Sequence, residues 1–254
     1  ALKAQKLNVV TTAVPFLRIS PDARSGGMGE LGIATSADHY SGLWNGGKVA
    51  FNETSGVGAT YTPWLKDVAN DVFLGTLAGN YKFSENQAIF ASLRYFSLGD
   101  IQFTDALGND LTSFRPREFG IDVGYSRRLN AKHGVGIALK YINSNLASGF
   151  NAGGTTYKTG SSVAADLSYY GNAVKTTGDG WAWGAVLSNL GSKISYTDNA
   201  DAKDFIPANL GLGANYTNKF NNVNQISIGL EVNKLLVPTP PSDSAGLVDY
   251  RNKS

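Results

Sequence analysis

Residues 117–143 read REFGIDVGYSRRLNAKHGVGIALKYIN, and their alternation decides the fold. In 117–126, Phe119, Ile121, Val123 and Tyr125 share one face, with Glu118, Gly120, Asp122 and Gly124 on the other. In 134–143, Val135, Ile137, Leu139 and Tyr141 stand opposite Gly136, Ala138 and Lys140. Side chains of an extended chain point alternately to opposite sides, so a period of two predicts two β-strands, joined here by a turn at 127–133. The pattern recurs outward in both directions. Runs at 56–64, 71–83 and 87–98 precede it, and 162–170, 181–189, 209–217 and 225–234 follow. Nine antiparallel strands are expected in all.

The connections alternate as well. Those at 84–86, 127–133, 171–178 and 218–224 are short and rich in turn residues, whereas 99–116, 144–161, 191–206 and the stretch from 238 onward are long and polar. Short turns at one end and long loops at the other are the pattern of a transmembrane antiparallel β-barrel, whose strands turn apolar residues to lipid and polar ones to the lumen. A soluble, lipocalin-like barrel with an apolar interior is the alternative reading of such strands. Two features favour the membrane. The polar face carries mostly Gly, Ala and Ser with a few charges, which is poor cover for a wet exterior. Tyr81, Tyr125, Tyr169, Trp181 and Tyr216 fall at strand ends bordering the short turns, as an interfacial aromatic girdle does. Nine is odd where bacterial single-chain barrels have even strand numbers, and residues 238–254, PTPPSDSAGLVDYRNKS, read as loop. Further C-terminal strands are therefore expected.

Composition agrees with an all-β chain of low surface charge. Charged residues make up 17% and glycines number 30 in 254 residues, against roughly 25% charged and ~7% Gly in typical soluble domains. A net charge of +2 argues against a nucleic-acid groove. Without cysteine there is no disulfide framework, thiolate metal site or cysteine nucleophile. No run approaches the ~20 apolar residues of a membrane helix, so a membrane-spanning form has to be a barrel.

Residues 14–51, VPFLRISPDARSGGMGELGIATSADHYSGLWNGGKVAF, break the pattern. Ser20-Pro21-Asp22 is a helix-start signature with Ser20 as the capping hydroxyl, and Arg24-Ser25-Gly26-Gly27 should end that helix. A second short helix is expected from Ser36, with Asp38 in its first turn, before Gly46-Gly47 breaks the chain. Gly27-Met28-Gly29-Glu30-Leu31-Gly32 matches the dinucleotide fingerprint G-x-G-x-x-G. The motif needs a hydrophobic strand before it and a helix after it, and has neither here. His39 and His133, the only histidines, lack carboxylates at ligand spacing, so neither a metal nor another cofactor is expected, and His133 is placed in a solvated turn. No nucleophile-elbow motif accompanies them, and no catalytic residues are assigned. The charges on the polar strand faces, Arg94, Asp122, Lys140, Asp166 and Glu231, are expected to pair or meet water in the lumen. Leu235, Leu236, Val237, Pro238, Pro240 and Pro241, within LLVPTPP, form a stiff extended element suited either to docking a partner or to connecting strands.

Three stretches carry a resemblance: AVPFLRISPDARSGGMGELGIATSAD at 13–38, WNGGKVAF at 44–51 and NKLLVPTPP at 233–241. With them the chain resembles the FadL-like outer-membrane barrels, most closely the PorV branch that serves the type IX secretion system of Bacteroidetes. Relatives usually carry Asn-Pro-Ala where this chain has Asn45-Gly46-Gly47. The resemblance implies a fourteen-stranded barrel in the bacterial outer membrane, with residues 1–51 as a plug inside the lumen and 52–254 belonging to the barrel. It implies a non-enzymatic role in which secreted cargo is bound through its C-terminal signal domain. Implied partners are the large translocon barrel, a cell-surface attachment complex and outer-membrane lipid. A FadL-like channel for long-chain fatty acids or other hydrophobic molecules is the alternative. In the plug, Gly27 and Gly29 are expected to let the backbone pack against the wall, and Arg18, Asp22, Arg24 and Glu30 to pair with the lumen charges.

Overall fold

Nine long strands form where the alternation places them: β1 Gly56–Pro63, β2 Val72–Ser84, β3 Gln87–Leu98, β4 Arg117–Arg128, β5 His133–Asn145, β6 Gly160–Asn172, β7 Gly180–Gly191, β8 Asn209–Lys219 and β9 Gln225–Leu235. The computed structural model describes residues 10–239 and 250, apart from 65, 68, 70, 105, 106, 153, 199–202 and 222. The strands join one antiparallel sheet in sequence order. Most run one to three residues further than their apolar alternation, because the ladder continues into the turns: Arg128 pairs with Gly134 and Lys219 with Gln225. Among the described residues β1 and β9 do not pair with each other, so the sheet is open at both edges.

Long connections carry two-stranded ribbons in place of plain loop: Ile101–Thr104 with Asp110–Phe114, Asn151–Ala152 with Thr155–Thr156, and Ile194–Ser195 with Lys203–Asp204. Phe103 of the first stacks on Phe150 beside the second, ring centroids 4.3 Å apart.

The two faces of the sheet are inverted relative to a water-soluble protein. On the outward face Leu139 is 68% exposed, Val163 62% and Leu230 71%. On the inward face Arg94 and Asp122 are each 3% exposed and Lys140 5%. Exposed large apolar side chains are ordinary when single, but a continuous band across nine strands is not.

Residues 10–55 lie against the inward face. They build a 3-10 turn Pro15–Arg18, a five-residue helix Ala23–Gly27, a single turn Ser41–Trp44 and a second 3-10 turn Gly46–Phe51. The cap of the Ala23–Gly27 helix is Asp22, whose carboxylate accepts from the Ser25 amide at 2.8 Å. Ser20, expected there, instead donates its hydroxyl to the Asp22 carbonyl. The sequence Arg24-Ser25-Gly26-Gly27, read as a stop, is the helix itself. The next helix starts at Ser41 and not Ser36, because Asp38 folds its carboxylate back onto the Tyr40 amide and the Ser41 hydroxyl.

Each strand touches this one segment. Tyr40 meets Thr60 on β1, His39 meets Asn80 on β2, Arg94 on β3 donates to the Leu17 carbonyl, and Ser126 on β4 accepts from the Ala50 amide. Gly47 lies on β5 and β6, Ile33 on β7 and β8, and Gly32 is bound by Glu231 of β9. For a segment this short to reach all nine strands, the sheet has to curl around it. Val14, Phe16 and Leu17 join Leu74, Phe96, Ile142, Ala164, Ile194 and Ile206 in the largest apolar cluster, near the long-loop end.

Candidate functional site

The inward faces of β3 to β7 bring four of the five expected lumen charges together. Asp122 on β4 accepts from Ser92 at 3.0 Å and lies 3.2 Å from the Lys140 ammonium and 3.9 Å from the Arg94 guanidinium. Lys140 also reaches Asp166 at 3.1 Å and donates to Asn189 Oδ1 at 2.6 Å. Asn189 completes the chain, giving its amide to Asp166 and its side-chain nitrogen to the Pro207 carbonyl. Burying a charge is costly unless it is paired and hydrogen-bonded, and this alternation of two cations and two anions meets that condition except at Arg94 Nε, which is buried without a partner. Asn189, at φ 57°, is a member that strand periodicity did not single out.

Glu231, the fifth charge, stands apart and binds the segment. Its Oε1 accepts from the amides of Gly32, Ile33 and Ala34 at 2.8, 2.6 and 3.4 Å, and its Oε2 is buried without a hydrogen-bond partner. On the other side of the same turn, the Lys48 ammonium donates to the Gly32 carbonyl and to Thr35 Oγ1 at 3.1 Å. Asn45, 1% exposed, donates to the carbonyls of Ile33 and Tyr169 and accepts from the Gly47 amide. These three side chains replace the partners that an irregular backbone would otherwise lack.

Asp22 and Arg24 do not carry the attachment expected of them, while Arg18 and Glu30 line the same cavity as Arg94, Asp166 and Glu231. Arg24 pairs with Asp38 at 2.6 Å inside the segment, and Asp22 is occupied by its own helix and by the Trp44 indole at 2.8 Å. A side chain on Gly27 or Gly29 would meet open space, so neither packs against the wall. Glycine is needed at Gly29 for its φ of 74°. The close approaches lie at Gly136, where a Cβ would stand 2.6 Å from the Gly47 nitrogen, and at Gly42, against the Phe90 ring. The 27–32 fingerprint spans a helix end and a turn, not a strand-to-helix junction. His133 is no solvated turn residue: it starts β5, stacks on Tyr169 and shares a 2.6 Å hydrogen bond with the Tyr169 hydroxyl.

Between segment and sheet lies a cavity of about 340 Å³, with Arg18, Glu30, Arg94, Asp166, Asn189 and Glu231 among its polar lining and Trp44, Phe90 and Val186 among its apolar lining. Of the proline-rich element, Leu235 ends β9, Leu236 is exposed and hydrogen-bonded to the Ala208 carbonyl, Val237 is buried and Pro238 is half-buried. Pro240 and Pro241 lie outside the described residues.

Burial lowers the Lys48 ammonium from its ordinary 10.5 to about 8, against the partly restoring pull of Asp38. Between these values the folded chain holds fewer protons than the unfolded one, so stability should rise with pH from about 8 to 10.5. Below 8 both forms are charged and the penalty is fully present. The full swing is on the order of 3 kcal/mol. Lys48→Met is expected to flatten this rise relative to the parent chain in thermal unfolding followed in detergent at a series of pH values; equal slopes would show that Lys48 is hydrated.

A comparison with protein-family models places residues 2–242 on the family described as Type IX secretion system protein PorV. No curated protein matches the chain.

Proposed function

Because the chain belongs to the PorV family of type IX secretion system proteins, we propose that it is a non-enzymatic outer-membrane component that receives secreted cargo through its C-terminal signal domain beside the translocon barrel. The observation that carries the membrane part is the inversion of the sheet, with Leu139, Val163 and Leu230 outward and Arg94, Asp122 and Lys140 inward. Turned to water, that outward band would cost about 25 cal/mol for each Å² of apolar surface; in lipid the cost disappears, and the antiparallel ladder keeps the backbone satisfied. Residues 52–239 are then the barrel wall, closed by further strands, and residues 10–51 its plug, held by Asn45, Lys48 and Glu231.

Cargo binding falls to the long-loop end, where the ribbons and residues 235–239 lie. Affinity purification of this protein from detergent-solubilised outer membrane is expected to retain the translocon barrel and cargo that bears its C-terminal domain, and to lose cargo from which that domain is deleted. Equal retention of both cargoes would overturn the reading.

The cavity beside the segment favours a second reading, a channel for long-chain fatty acids. Its lining mixes five ionisable side chains with the apolar ones, which suits an alkyl chain poorly. Fatty-acid entry into vesicles that depends on this protein would establish that reading.

A further inference from the structure

Three of the four short turns place a basic side chain beside an exposed apolar one at the same rim of the sheet, and at the other Phe83 is exposed while Lys82 turns inward. Lys82 adjoins Phe83, Arg127 and Lys132 flank Leu129, Lys175 follows Val174, and Lys219 precedes Phe220, with Leu129 57% and Phe220 62% exposed. Since the strands pair in sequence order, the four turns follow one another along the rim roughly 10 Å apart, two strand spacings each. Six bases at this rim, Lys82, Arg127, Arg128, Lys132, Lys175 and Lys219, face three acids, Glu53, Glu85 and Asp179.

Among the described residues none of the six is in an ion pair. Lys82 donates to the Asn52 carbonyl and Arg128 lies over the Phe51 ring, while Arg127, Lys132 and Lys175 are exposed. At the opposite rim Arg115 and Lys158 are paired with Asp100 and Asp198, and Arg117, Lys203 and Lys234 are exposed there too, among Asp71, Asp110 and Asp204. The aromatic band of Tyr81, Tyr125, Tyr169, Trp181 and Tyr216 lies directly inside the basic rim. Arg127 shares the outward face of β4 with Tyr125.

We propose that the short-turn rim binds the phosphate groups of anionic glycerophospholipids in the leaflet it meets, with Leu129, Val174 and Phe220 entering between the headgroups. The inference rests on the membrane-spanning reading above. An aromatic belt followed by cations and apolar tips is the order of groups that the bilayer interface selects. Repetition of the base-and-apolar pair in the three turns at 127–133, 171–178 and 218–224 follows a perimeter, as lipid does, whereas a docking site for one acidic protein would gather the bases on one side.

The test is reconstitution into vesicles with spin-labelled phosphatidylglycerol or phosphatidylcholine, reading the motionally restricted lipid at the protein surface. The parent chain is expected to prefer phosphatidylglycerol about fivefold, on the scale of one basic residue at a lipid surface, and to lose the preference in high salt. The triple variant Arg127→Gln, Lys132→Gln, Lys175→Gln should fall to no preference with unchanged circular dichroism. Equal selectivity in both chains overturns the proposal. So does absence of preference in the parent, which would leave the rim to an acidic protein retained salt-sensitively by the parent only. Absence of restricted lipid of either kind would instead remove the membrane-spanning reading itself.

Discussion

Gly136→Val is expected to push residues 46–51 off the wall while the nine-stranded sheet remains formed. At this point two backbones are in direct contact: a side chain at position 136 would collide with the Gly46 carbonyl carbon, the Gly47 nitrogen and Ser168 Oγ. Backbone cannot swing aside as the end of a flexible side chain can. The Gly47 amide would leave Ser168, and the Asn45 bond to the Tyr169 carbonyl would open with it. We expect a loss of about 3 kcal/mol, the upper part of the range for overpacked sites. It should be read as protease cleavage within 10–55 and as added ion conductance in a planar bilayer. Gly27→Val, which meets open space, is the control. Unchanged protease resistance in Gly136→Val would mean that the segment is held elsewhere.

Lys140→Met is expected to cost more. The ammonium is the only cation within 3.5 Å of either Asp122 or Asp166 among the described residues, and all three side chains are largely buried. Removing one partner of such a set leaves uncompensated charge in a low-dielectric interior, typically about 3–5 kcal/mol. Adding Asp122→Asn to the same chain should recover part of the loss, because one of the two orphaned anions is then gone. The measurement is the unfolding midpoint in detergent for the two single variants and the double variant. A Lys140→Met loss below about 1 kcal/mol would match an exposed ion pair and would show that water reaches the network.

Much of the wall was legible in the sequence because one rule, the period of two, operates on every strand. Gln87–Leu98 came out to the residue, and the outward and inward sets agree with the exposure of Leu93 against Arg94 and of Leu139 against Lys140. The strand ends were less legible: once the apolar alternation stops, only backbone pairing decides whether Arg127 and Arg128 belong to strand or turn. The segment at 14–51 was legible as irregular and not beyond that. Its structure comes from contacts with residues 20 to 199 positions away, which local propensity does not encode. Gly27 and Gly29 looked like packing glycines because they lie in a glycine-rich motif, yet the wall approaches Gly42, Gly46 and Gly47 instead. Arg24 and Asp22 looked available because they are charged, but neighbours at Asp38, Ser25 and Trp44 use them first. Asn45, Lys48 and Asn189 gave no strand-periodic signal and emerged only from burial and hydrogen bonding.

The attachment of residues 10–55 also dictates an order of assembly. Asn45 finds the Tyr169 carbonyl 124 positions later, and the Gly32 amide finds Glu231 199 positions later. What is synthesised first can therefore begin to dock on β1 to β4, but can finish only after β9 is in place. Closing such long loops is slow and entropically costly. Until then the unseated part of the segment is open chain whose hydrogen-bonding groups are met by water, and its full seating marks the end of folding rather than its beginning.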